Sequence, residues 1–234
     1  MLTPLIFNTR LLQLLAPNLP KEMKRFLNRE AAGEELAEKL GVYRYKPCAV
    51  LAIPRGGVPV GFKIAQKLSC SLGLVWVKKI GHPLSPELAI GAVSPDDMFV
   101  DYNSIASESY IKSEIQRIRI RFAEMKKKVQ DPTDSIDLKN KIIILVDDGI
   151  ATGHTISAAI RLLRNKMPAK IIVATPVAPD DAITKLMTLA DEMVVSYTPE
   201  FFTGISSFYE DFTQLQDEDV KYYITKKNKE APAG

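Results

Sequence analysis

An unbroken apolar run, Ile142-Ile143-Ile144-Leu145-Val146, ends directly in two adjacent acids, Asp147 and Asp148. Consecutive apolar residues of this kind suit a strand buried on both faces, as in a parallel sheet covered by helices. Two carboxylates cannot follow it into a core without partners. The acids must therefore stand at the carboxyl end of a buried strand, which is where open parallel sheets bind ligands. The next residues are Gly149-Ile150-Ala151-Thr152-Gly153-His154-Thr155. Small residues there let backbone N–H groups converge on an anion, and a helix starting near Thr155 adds its positive N-terminal end. Carboxylates accept hydrogen bonds well from vicinal hydroxyls. The order of acid pair, anion loop and helix thus predicts a pocket for a ribose 5-phosphate, with the hydroxyls of Thr152 and Thr155 as further donors.

The rest of the chain frames this junction. Apolar residues at helical spacing predict a helix over 24–40, through Phe26, Leu27, Ala31, Leu36, Ala37 and Leu40, with Gly41 as its stop. A short apolar run over 48–53 predicts a second buried strand, ending at Pro54-Arg55-Gly56-Gly57, with a helix after it. Strands follow at 72–77, 171–175 and 193–197, and helices at 108–130, 155–166 and 180–190. Residues 78–97 carry prolines and glycines with little periodicity and read as one long irregular loop, a length that usually means function or mobility. Alternating strands and helices imply a doubly wound, mainly parallel α/β sheet. The expected divisions are an N-terminal arm over 1–23, one domain over 24–225 (core about 45–198, a small hood about 199–225 together with the N-terminal segment), and a disordered tail over 226–234.

Composition narrows the function classes. With 31 basic and 28 acidic residues the net charge is only +3, which lacks the basic stripe of nucleic-acid binders. No apolar run approaches the ~18 residues of a membrane span. Cys48 and Cys70 form no CxxC pair and His82 and His154 are the only histidines, so a zinc site and a disulfide scaffold are both disfavoured; the cysteines read as ordinary core thiols. Residues 1–21 contain no acid and are Leu-rich; a surface-packed arm is favoured over a targeting segment. Two rival explanations of the acid pair fail on the residues. A receiver domain places its acids near the N-terminus with no glycine loop after them, and a P-loop needs Gly-Lys-Ser/Thr where this chain has Gly153-His154-Thr155.

The run from Val146 to Thr155 resembles the phosphoribosyl pyrophosphate (PRPP) signature of type I phosphoribosyltransferases. Over roughly residues 25–220 the chain is similar to an uncharacterised bacterial group of that family, through Pro54 to Pro59 and Pro86 to Val93. The resemblance implies the type I fold and transfer of 5-phosphoribosyl from PRPP to a nucleobase or related nitrogen nucleophile, with release of pyrophosphate. It implies Asp147 and Asp148 as catalytic acids and ligands of Mg²⁺, with Lys79 as a third catalytic residue at the start of a mobile closing loop. It assigns the 5-phosphate to Gly149, Ile150, Ala151, Thr152, Gly153, His154 and Thr155, and pyrophosphate to Arg55, Gly56 and Gly57. Aromatics after the last strand make Phe201 or Phe202 the candidate for contact with the acceptor. A cytoplasmic location, a possible homodimer, no membrane and no nucleic acid complete the expectation. Hypoxanthine–guanine enzymes carry a third acid where this chain has Ala151, so that acceptor class is disfavoured. A sensor or regulator that binds PRPP or a nucleotide without transfer stays open as the second class.

Overall fold

The computed structural model describes residues 24–100 and 106–230. The expectations for residues 1–23 and for 231–234 lie outside the described residues. A five-stranded parallel sheet forms the centre. Its strands are β1 (Cys48–Ala52), β2 (Ser71–Leu74), β6 (Ile142–Val146), β7 (Lys170–Val177) and β8 (Glu192–Tyr197), in the order β2-β1-β6-β7-β8. β6 lies in the middle, between β1 and β7, with Ala52 and Ala174 opposite Val146. Alternate residues of each strand face opposite layers, so the apolar run feeds two cores. Ile144 and Val146 pack towards one layer, which includes α1 (Arg29–Lys39), α2 (Gly57–Leu68), α3 (Glu108–Val129) and α6 (Asp217–Glu230). Ile143 and Leu145 pack towards the other, which includes α4 (His154–Arg164) and α5 (Asp180–Met187). This is the doubly wound α/β architecture that the alternation predicts. Among the described residues no helix is long and apolar enough to cross a membrane.

Three segments differ from the sequence expectation. The helix predicted over 24–40 begins only at Arg29, after Asn28, whose side chain caps it by accepting from the Ala31 N–H. Leu27 is exposed, and Phe26 leaves the helix altogether to bridge Tyr209. Residues 78–97 are not one irregular loop. They form β3 (Lys78–His82) and β4 (Ser85–Val93), which with β5 (Met98–Val100) make a separate antiparallel sheet. Ile80, Ile90, Ala92 and Val93 anchor it in the core, and at Gly91 a Cβ would overlap the backbone of Phe99 in the neighbouring strand. Glycines and prolines that signal loops here sit inside a bulged hairpin. Finally, residues 226–230 are no disordered tail: they complete α6, whose buried residues are Val220, Ile224 and Lys227.

The helix that opens the described chain lies very close to α2. A Cβ at Gly33 would stand 2.8 Å from the Val60 carbonyl oxygen, whereas one at Gly41 would meet nothing within 4 Å. Gly33→Ala should therefore destabilise the fold by about 1–3 kcal/mol through overpacking, while Gly41→Ala changes it by less than about 1 kcal/mol. Urea unfolding of the pair measures the contrast; equal midpoints would contradict the α1–α2 packing.

Candidate active site

The acids stand where the sheet requires them, at the carboxyl end of its central strand. Asp147 is half-buried and Asp148 buried. Their surroundings differ sharply. The Arg29 guanidinium donates from Nε to Asp148 Oδ2 at 2.7 Å, across 119 residues of sequence. The same guanidinium donates to the Thr213 carbonyl at 2.9 Å and lies 3.8 Å from the centre of the Phe212 ring. The Tyr209 hydroxyl donates to the Asp148 carbonyl oxygen at 2.6 Å. Among the described residues no cation pairs with Asp147 in this way. Its Oδ1 accepts from the Asp148 N–H at 2.9 Å, and it lines a cavity of about 180 Å³ shared with Gly149 to Ile156 and Ile205. Burial pushes the Asp147 carboxyl well above the usual carboxylate range, and the charge of Asp148 pushes the same way. Burial also raises Asp148, against the pull of Arg29.

The loop after the acids is built on its glycines. Gly153 has φ 70° and precedes α4, a left-handed conformation that a side chain resists. At Gly149 a Cβ would come within 2.5 Å of Ile205. The Ile150 N–H is fixed to the Val177 carbonyl at 2.8 Å, while Ala151, Thr152, His154 and Thr155 are exposed at the cavity rim. His154 Nδ1 lies 3.2 Å from Thr152 Oγ1. Burial lowers the imidazole below its ordinary value, with the charges of Lys185 and Lys79 adding to the effect. Lys185, on α5, donates to the Thr152 carbonyl at 3.4 Å. Two cations from different elements thus flank the loop: Lys79 from β3 and Lys185 from α5.

The turn at Pro54 to Gly57 abuts the acid pair. A Cβ on Gly56 would overlap the Asp148 carboxylate, and one on Gly57 would lie 2.6 Å from the Val146 carbonyl oxygen. The Pro54–Arg55 peptide is cis. Arg55 is already engaged: its Nε donates to Asp217 Oδ1 at 2.9 Å and its Nη1 to the Leu215 carbonyl at 3.2 Å. Lys79 sits within β3, opposite Ala92, rather than at the mouth of a loop. Phe201 is 77% exposed, while Phe202 stacks on the buried Phe208 with ring centres 5.6 Å apart. Neither lines the cavity beside Asp147; Ile205 of the same segment does. Sequence reasoning missed Arg29, Tyr209 and Lys185. Only the aromatic clustering around Tyr209 gave any local signal.

A family model described as a phosphoribosyl transferase domain matches residues 21–213. The chain belongs to the phosphoribosyl transferase family. A Mycobacterium tuberculosis protein, provisionally named a phosphoribosyl transferase, is 35% identical over 225 residues, covering 91% of this chain and 49% of the relative. The chain thus spans about half the length of that curated relative. A ribose-phosphate pyrophosphokinase of Thermoplasma volcanium is 32% identical over 135 residues, covering 55% of this chain and 45% of its own. Among solved structures, the TT1426 protein of Thermus thermophilus superposes with a TM-score of 0.78 at 33% identity, covering 86% of this chain and 98% of its own. Family and fold agree with the resemblance read from Val146 to Thr155.

The unequal environments of the two acids make a stability prediction. Asp148→Asn leaves a buried guanidinium without its counter-charge and should cost about 3–5 kcal/mol. Asp147→Asn should do the opposite. A carboxyl raised on folding contributes nothing when it is protonated in both states, and its ionisation opposes folding as pH rises above its unfolded value. In chelator-containing buffer the Asp147→Asn chain should therefore outlast the native one at about pH 8, the gap closing towards about pH 4. Denaturant midpoints across that range test both; a gap that widens on acidification would contradict the assignment.

Proposed function

We propose that this protein binds PRPP at the carboxyl end of β6 and transfers its 5-phosphoribosyl group to a small nitrogen nucleophile, releasing pyrophosphate. One observation carries the reading: Asp147 and the loop over 149–155 line a single cavity at the N-terminus of α4. A carboxyl group suited to ribose hydroxyls and a glycine loop at a helix N-terminus suited to a phosphate stand together there. The name of one relative, a ribose-phosphate pyrophosphokinase, points to the same ligand class.

In this reading the labour of the acid pair is divided. Asp147 faces the ligand and accepts from the ribose hydroxyls, while Asp148 is held by Arg29 and keeps the strand end rigid. The loop from Gly149 to Thr155, through its amides other than that of Ile150 and the Thr152 and Thr155 hydroxyls, holds the 5-phosphate, and Lys185 adds positive charge beside it. Arg55 and the Gly56 and Gly57 amides take the pyrophosphate, with Lys79 supplying a further cation. The transfer displaces pyrophosphate from C1 of the ribosyl group, and the oxocarbenium character that develops favours nearby negative charge. No group of three or more metal-binding side chains occurs among the described residues. Those residues fit Mg²⁺ as a magnesium–PRPP complex, which Asp147 would help to hold. When bound, Mg²⁺ neutralises the leaving pyrophosphate. The acceptor, with Phe201 or Phe202 as its contact, and a homodimer are proposed on the family likeness alone.

A second reading has its own observation. Arg55 and Asp148 are both satisfied internally, as suits a pocket that senses PRPP or a nucleotide without turning it over. A pyrophosphate-release assay with PRPP, Mg²⁺ and a panel of bases and amines separates the two. Transfer predicts release with at least one acceptor, lowered about 10²-fold or more in Asp147→Asn. Tight PRPP binding with no release across the panel selects the sensor. Unchanged PRPP affinity in Asp147→Asn would refute the pocket itself.

A further inference from the structure

Both cysteines of the chain lie at the opposite end of the sheet from Asp147. β1 begins at Cys48, and Cys70 immediately precedes β2. The register that pairs Ala49 with Ser71 places Cys48 opposite Cys70. Alternation puts Cys48 on the face of Val50 and Ala52, and Cys70 packs against the same layer. Both thiols are free, each influences the other's ionisation, and the Cys48 thiol donates to the Tyr43 carbonyl at 3.8 Å. Opposed Cα atoms on neighbouring strands stand about 4.8 Å apart, inside the ~4.4–6.8 Å that a disulfide spans.

Their access to solvent is unequal. Cys48 is 8% exposed. Cys70 is half-buried and lines a cavity of about 420 Å³ with Ser71, Lys141 and Lys227. Lys227 is itself only 8% exposed, and among the described residues it has no hydrogen-bonding or ion-pair partner. The neighbouring Cys48 and burial push the Cys70 thiol up, and the charge of Lys227 acts the other way. An ammonium held beside a thiol favours the nucleophilic thiolate.

We propose that Cys48 and Cys70 form an oxidative modification site, closing to a reversible intrachain disulfide on exposure to a hydroperoxide. The Cys70 sulfur, reached through the cavity, attacks one oxygen of the hydroperoxide, and its proton passes to the departing oxygen. The O–O bond breaks, and Cys70 becomes a sulfenic acid as the alcohol (water, from hydrogen peroxide) departs. The Cys48 sulfur then attacks the Cys70 sulfur. The S–S bond forms, the S–O bond breaks, and hydroxide leaves as water with the Cys48 proton. Two thiols lose two electrons and two protons, and the hydroperoxide is reduced to an alcohol and water. A dithiol reverses the link by exchange. The bond ties the start of β1 to that of β2 and encloses the turn at Arg55 to Gly57, but it lies far along the strands from Asp147.

The test uses the full chain, reduced and then treated with hydrogen peroxide, followed by intact mass and peptide mapping without reductant. The expected result is a loss of two hydrogens, a single Cys48–Cys70 linked peptide, and recovery with dithiothreitol. Cys70→Ser should show no such loss. Cys48→Val, which keeps the buried position filled, should instead drive Cys70 to the sulfinic acid, and Lys227→Met should slow closure by roughly tenfold. Native chain that keeps both thiols alkylatable, gains oxygen without losing two hydrogens, or links only between chains overturns the proposal. None of these readouts involves PRPP, so the proposal stands or falls apart from the proposed transfer.

Discussion

A buried ion pair holds the carboxyl end of the central sheet together. Arg29, at the start of α1, reaches Asp148 at the end of β6 and is fixed in turn by the Thr213 carbonyl and the Phe212 ring. Through this one guanidinium the N-terminal helix, the central strand and the segment after β8 share a common point. The partners are nearly inaccessible to water, so removing either strands a charge in a low dielectric. Tyr209 reinforces the joint from the backbone side, and its neighbour Phe208 accepts from the Phe26 N–H. The hood is therefore keyed to the acid pair itself, and its aromatic residues serve first as its packing.

The acid pair is asymmetric as a result. Adjacent carboxylates in one sequence look interchangeable, yet one is neutralised internally and the other is left facing the phosphate loop. A site built so keeps a group at a cost to stability, which is a common signature of function rather than of folding. The flanking lysines follow the same logic: Lys79 and Lys185 come from elements on either side of the loop, and their charges act together on His154. The site is electropositive where a phosphate would lie and acidic where hydroxyls would lie.

How much of this the sequence disclosed depended on range. The apolar run of β6 and the glycine loop after it were legible because strand burial and loop geometry are local demands that write themselves into consecutive residues. The doubly wound sheet was legible for the same reason. The antiparallel sheet over Lys78–Val100 was not, because Gly81, Pro83 and Gly91 serve a bulged hairpin and a close strand contact, and their local signature matches that of a loop. α6 escaped because its buried face is reduced to Val220, Ile224 and the stem of Lys227 among charged residues. Arg29 was invisible in principle: on a helix of low hydrophobicity it reads as one more solvated arginine until the fold brings Asp148 to it.

Asp217 holds Arg55 at the turn after β1. A cation already served by a carboxylate and a carbonyl is not a trap for any passing anion. Chloride or a lone carboxylate offers it nothing beyond what it has, so such ions gain little by displacing Asp217 from the turn. In the proposed pyrophosphate role, a polyphosphate would bring several oxygens and a denser charge, enough to exchange with the Asp217 carboxylate while also engaging the glycine amides. On that proposal the ion pair would set an entry threshold, and the discrimination would lie in what the turn must give up before it can bind.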